Sequence, residues 1–172
     1  MKTKILLALA MSLTTVSAFA NSMELPTGLV DLHAKACPEF IERNLYVDIQ
    51  KLPNGPEFEA NNTLYVMGCE MYAYNSLEKA YVVNPQGVIT PVVVAEVVDE
   101  GKIVATSDLM GAGYDATTNT LGTFQKGRGI GDCGSSATYK WDPRNEKFVL
   151  EEARVKMECD GEETEWPVVY KK

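Results

Sequence analysis

The chain has a single histidine, His33, and four cysteines, with no Cys-x-x-Cys spacing among them. Any Cys–His or Ser–His–Asp mechanism would have to use His33 as its base. That residue precedes the first clear strand pattern, so it reads as a surface or loop histidine. The missing tight cysteine pairs argue against a structural zinc site. Basic charge is scarce, with 16 Lys and Arg against 24 Asp and Glu. A surface of that sign repels nucleic acid and anionic lipid. Long apolar runs are scarce too. Past the N-terminus the longest is Thr90 to Val98, which Glu96 interrupts, and a membrane span needs about 20 apolar residues. Internal repeats, low-complexity tracts and linkers are all missing.

The N-terminus has the three parts of an export signal. Lys2 and Lys4 supply positive charge, Ile5 to Leu13 form a short apolar stretch, and Ala18-Phe19-Ala20 is a small-residue cleavage site. Residues 1–20 therefore read as a signal peptide, cleaved after Ala20, and 21–172 as a single β-rich domain in the periplasm or the medium. No cysteine follows the cleavage site, so no lipid anchor is expected. Removing 20 of the 172 residues leaves 152, with 14 basic and 24 acidic side chains and a net charge of −10. Such acidity favours solubility and suits a basic protein or a cell-envelope component as partner. Cys37, Cys69, Cys133 and Cys159 all remain, and an even count in an oxidising compartment predicts two disulfides. Of the three possible pairings, Cys37–Cys69 and Cys133–Cys159 tie neighbouring segments together and are favoured. Each would contribute about 3–4 kcal/mol by loop entropy.

Period-two alternation dominates the rest. Ala137, Tyr139 and Trp141 alternate with Thr138, Lys140 and Asp142, and Ala153, Val155 and Met157 alternate with Arg154, Lys156 and Glu158. These read as half-buried antiparallel strands. Turns are expected at Asp142-Pro-Arg-Asn145, Asn84-Pro-Gln-Gly87 and Asp99-Glu-Gly101. Leu64 to Tyr74 is apolar on both faces and reads as a central strand holding Cys69. Pro38 opens a short helix through Asn44, with Phe40 and Ile41 inward. The expected fold is all-β, a single antiparallel sandwich or barrel-like domain with at most one or two short helices.

Lys126-Gly-Arg-Gly-Ile-Gly-Asp-Cys-Gly134 contains a formal Gly-x-Gly-x-x-Gly match. A dinucleotide site needs a helix after those glycines to present amides to the pyrophosphate. Here strand-like Ser135 to Trp141 follows, so no cofactor is expected. Two readings remain: a bulged turn pinned through Cys133 to Cys159, or an anion-binding nest charged by Lys126 and Arg128. Asp115-Ala-Thr-Thr-Asn119 offers oxygen ligands but lacks the glycine and closing glutamate of a calcium loop, and reads as a polar hairpin turn. Asn61-Asn-Thr63 fits the glycosylation pattern, which matters only in a eukaryotic host. Tyr139, Trp141, Trp166 and Tyr170 are candidates to stack sugars, although alternating aromatics more often pack across strands.

The C-terminal half resembles an exported bacterial family, domain of unknown function 1176. The shared elements are the K-G-R-G-[LI]-G-D-C-G block at 126–134, the Trp141-Asp142 strand, Cys159-Asp-Gly161 and the closing Trp166-Pro167. Upstream, Cys69-Glu-Met-Tyr-Ala-Tyr-Asn75 is similar to that family's Cys…A-Y-N element. The resemblance covers roughly residues 64 to 170. It implies a bacterial, exported, β-rich domain and no activity. Gly127, Arg128, Gly129, Gly131, Asp132, Cys133 and Gly134 carry over as a motif without an assigned role.

No catalytic residue or metal ligand is assigned. The expected function is non-enzymatic binding of a basic protein or envelope component. One alternative is inhibition of lysozyme, although the inhibitor motif S-G-x-x-Y survives only as the end of Gly111-Ala-Gly-Tyr114. Another is a carboxylate-dependent glycan hydrolase with Asp132, beside Arg128, as its acid.

Overall fold

The computed structural model describes residues 25–54, 61–98 and 101–172. The expected leader and its cleavage point lie outside the described residues, as does part of the Asp99–Gly101 turn.

Among the described residues, two helices precede twelve strands: α1 Thr27–Ala36, α2 Glu39–Glu42, β1 Val47–Lys51, β2 Thr63–Met71, β3 Ser76–Val83, β4 Ile89–Pro91, β5 Val94–Val98, β6 Lys102–Thr106, β7 Leu109–Met110, β8 Gly113–Asp115, β9 Thr120–Lys126, β10 Gly134–Asp142, β11 Lys147–Lys156 and β12 Val168–Lys171. The strands form two five-stranded antiparallel sheets and a two-stranded ribbon. The first sheet runs β1-β2-β3-β4, with β7 also on β3. The second runs β12-β11-β10-β9-β8, and β5 pairs with β6. The sheets face each other as a sandwich and neither closes into a barrel, in keeping with the all-β expectation.

The central strand β2 is buried on both faces because each face has its own core. Leu64 and Val66 join Ala80, Val82, Leu121, Tyr139, Trp141, Phe148 and Leu150 between the sheets. Met67 and Cys69 turn the other way, onto a smaller core with Leu29, Cys37, Phe40 and Tyr81 under the helices. Fully burying each such aliphatic side chain contributes about 1.5–3 kcal/mol. The Cys37–Cys69 disulfide fastens the helical layer to β2.

The turns follow local chemistry. Asn84 accepts the amides of Gln86 and Val88 on its side chain, and Gly87 takes φ +81°. Asp142 accepts the amides of Arg144 and Asn145. Asp115 accepts from the Thr117 amide and from the hydroxyls of Thr117 and Thr118. The 115–119 segment is therefore the hairpin turn between β8 and β9, its acid engaged within the turn.

Four expectations are corrected. The central strand ends at Met71 rather than Tyr74, because residues 72–75 turn into β3. His33 is not a surface residue: it lies in α1 with no exposed area. Leu29, His33 and Cys37 recur every four residues and form the buried side of that helix and its cap. The Nε2–H of His33 donates to the Gly68 carbonyl at 2.8 Å, which leaves Nδ1 to accept from the Tyr81 hydroxyl at 3.1 Å. In α2, Phe40 is buried but Ile41 is 65% exposed, because one helical turn presents only one of two adjacent residues inward. Met157 lies past the end of β11 and is exposed, since the chain leaves the sheet there for Cys159.

Candidate functional site

The glycine block joins β9 to β10. Lys126 is paired with Gly134 across the ladder, so residues 127–133 are a hairpin loop, and a strand rather than a helix follows it. The helix N-terminus that the dinucleotide fingerprint requires after its glycines is therefore replaced here by β10.

Close backbone approach explains several of the glycines. A Cβ at Gly134, where φ is +141°, would stand 1.9 Å from the Gln125 carbonyl oxygen, and one at Gly127 would stand 2.7 Å from the Cys133 sulfur. The Gly127 amide donates to the Cys133 carbonyl at 2.8 Å, closing the loop's base. Cys133 is bonded to Cys159. Both disulfides thus join the favoured partners.

Arg128 and Asp132 form a two-pronged ion pair inside the loop. Nε donates to Oδ1 at 2.7 Å and Nη2 to Oδ2 at 2.5 Å. The Gly161 amide donates to the same carboxylate at 2.6 Å. Asp132 has no exposed area. The guanidinium bond, with help from the Gly161 amide, holds its carboxyl well below the usual range. A general acid requires the opposite shift and an open path to substrate, so the geometry argues against Asp132 as a hydrolase acid. The anion-nest reading is altered in the same way, because the loop's own carboxylate already occupies the arginine and the neighbouring amide. Asp132 also comes within 4.8 Å of both sulfurs, but a disulfide offers a metal no thiolate.

The second motif element meets the first. Tyr72 to Asn75 form the turn between β2 and β3, closed by the Tyr72 amide on the Asn75 carbonyl at 2.8 Å. The Asn75 side chain then pairs with the Lys126 peptide as another strand would. Its Nδ2 donates to the Lys126 carbonyl at 2.9 Å, and its Oδ1 accepts the Lys126 amide at 2.8 Å. The Tyr74 ring lies over Gly129, 3.5 Å from where a Cβ would be. Cys69–Asn75, the glycine block and Cys159–Gly161 are therefore one structure at one end of the sandwich. Tyr74 is 48% exposed there, Tyr72 46% and Ile130 62%.

The remaining motif residues lie in the second sheet and its connections. Trp166 stacks on Phe124 at 5.0 Å between ring centroids, and with Gly161 and Cys159 it holds the β11–β12 connection against the second sheet. Tyr139 and Trp141 are buried in the main core and closed to a sugar, and Tyr170 is partly buried against it. Gly111 takes φ +56° where a Cβ would stand 2.4 Å from the Phe124 carbonyl oxygen, so it serves the turn into β8.

Residues 24–172 match the family described as "Protein of unknown function (DUF1176)". The chain belongs to this family. The match reaches back through the helices, beyond the 64–170 stretch that carries the motifs. The chain is 29% identical over 115 residues, 64% of its length, to "Uncharacterized protein YpfG" of Escherichia coli strain K12, and it spans about a third (32%) of that relative. No solved structure matches it. For the DUF1176 family these comparisons bring membership and no chemistry. Sequence reading missed two features that the structure supplies. One is the Asn75 clamp, hinted at only by the separate A-Y-N element. The other is buried Glu78, which accepts from the Tyr46 hydroxyl at 2.5 Å and the Ala112 amide at 2.8 Å and had no signal beyond its place in a strand.

Proposed function

We propose that this DUF1176 domain is an exported, periplasmic or secreted binding domain without catalytic activity. Its contact surface is the tip formed by the 127–133 loop and the 72–75 turn, and its partner is a basic protein or other cell-envelope component. One observation carries this reading: the loop's charged groups are spent on each other while its apolar groups stand exposed. The ion pair, the disulfide and the Asn75 clamp hold the loop still, and a rigid presentation lowers the entropy cost of binding. Exposed aromatic and aliphatic side chains on a fixed loop are suited to act as anchors. The acidity of the mature chain adds attraction for a basic partner and speeds encounter. Export rests on the N-terminal pattern and agrees with two disulfides.

The test is capture from envelope extract with wild type, a Tyr74→Ala/Ile130→Ser double variant, and Val88→Ser as an exposed control on the β3–β4 turn. A specific partner should be held by wild type and by the control, and held at least tenfold less by the double variant, since anchors of this kind contribute about 2 kcal/mol or more. Equal retention by the double variant would show that the tip is not the contact surface.

A further inference from the structure

A second site lies on the other side of the glycine block. An open groove of about 960 Å³ runs between the β5–β6 ribbon and the ends of β10, β11 and β12. Binding pockets commonly have volumes of about 300–1,000 Å³, with apolar walls and a few placed polar groups. Here Val97, Val98, Val155, Met157 and Val169 make the walls, and the Cys133–Cys159 disulfide lies among them.

Glu96 is the charged group that stands out. It lines this groove and also a recess of about 10 Å³ behind it, next to Tyr139, room for about one water. No ion pair or side-chain hydrogen bond engages its carboxylate among the described residues. Lys156, the cation lining the groove, is already committed: its ammonium donates to Asp160 at 2.8 Å, the Glu162 carbonyl at 2.9 Å and Thr164 at 3.1 Å. Among the described residues, the groove therefore combines an apolar wall with one unmatched negative charge. Partial burial and the nearby Asp108 raise the Glu96 pKa, as expected of a carboxylate without a cation.

We infer that this groove binds a small amphiphile whose apolar chain ends in a protonated amine, the chain against the valines and Met157 and the ammonium on the Glu96 carboxylate. An alcohol of equal chain length would keep the apolar contacts but lose the charge-assisted hydrogen bond. A fatty acid would place two carboxylates together. The groove shares the base of the glycine loop, Gly127 and Cys133, with the tip but not the exposed Tyr74 and Ile130, so either site can fail without the other.

Calorimetric titration of the oxidised protein with n-octylammonium, n-octanol and octanoate, all below their micelle concentrations, tests this. Octylammonium should bind at least tenfold more tightly than octanol, and octanoate weakest. Glu96→Gln should bring the amine down to the level of the alcohol. Glu163→Gln removes the same charge from an exposed position and should leave the preference intact. Val169→Ser should weaken the amine and the alcohol alike, and the Tyr74→Ala/Ile130→Ser variant should change neither. Equal binding of amine and alcohol by wild type would overturn the inference. So would a preference that survives Glu96→Gln, or one that falls equally with Glu163→Gln, since that would be general surface attraction.

Discussion

His33 shows how much one side chain can depend on its surroundings. Its ring is flanked edge-on by Phe40 at 4.6 Å and Tyr81 at 5.7 Å, and both nitrogens are bonded in the neutral form. Burial lowers its pKa from the ordinary 6.5, with Lys79 adding to the effect and the Gly68 bond opposing it. Below pH 6.5 the unfolded chain therefore takes up a proton that the folded chain refuses. Stability falls as pH drops from 6.5 toward the lowered folded value. Thermal melts at pH 7 and pH 5 should show wild type losing more than His33→Gln, whose amide offers a donor and an acceptor but does not titrate. Equal losses would mean that His33 is not held neutral. In the sequence this residue looked like an isolated loop histidine. The four-residue recurrence Leu29–His33–Cys37 was legible, but its middle member is polar, and an apolar period cannot be recognised from a residue whose burial depends on a carbonyl 35 positions away.

Among the elements, the glycine loop was the most legible, and it was legible as a strand connection. The alternation after Gly134 identified β10, and the cysteine spacing favoured the bridge to Cys159. What the pattern did not contain was the use of Arg128 and Asp132. Four positions apart, they suit catalysis, anion binding or mutual neutralisation equally well, and only the loop's curl brings them together. The loop's stability should be separable from that of the helical layer. A Cys133→Ser/Cys159→Ser variant should lose about 3.5 kcal/mol in urea unfolding, given the 26-residue separation of the pair. Amide exchange should quicken at Gly127 and Gly161, while β2 near Cys69 keeps its protection through the other disulfide. Unchanged exchange at Gly161 would mean that the Asp132 contact holds the β11–β12 connection unaided.

At the scale of the molecule, the two sheets share one core, so they should unfold together. Leu121 has no exposed area and sits among residues of both sheets. Leu121→Ala should cost about 2–5 kcal/mol, lowering the melting temperature by about 2–4 °C for each of those kcal/mol in a domain of this size. Fluorescence and far-ultraviolet dichroism should report one coincident transition. Two transitions would show the sheets to be separate units. Further ties reinforce the single core, with Trp141 donating to the Pro53 carbonyl at 3.0 Å and Asn62 to Glu146 at 2.9 Å, at the end opposite the glycine loop.

Local rules were enough for the sequence alone to determine the strand-rich class, most turns and the favoured disulfide pairs. Side-chain alternation, proline and glycine geometry and loop entropy act within a few tens of residues, and each leaves a mark in the order of amino acids. The tertiary structure decided the rest. It buried His33, joined the 72–75 turn to the 127–133 loop, cancelled Arg128 against Asp132 and left Glu96 unmatched in its groove. Those outcomes depend on which groups meet across sheets and loops, and a charge or an amide is available for function only when no such neighbour already satisfies it.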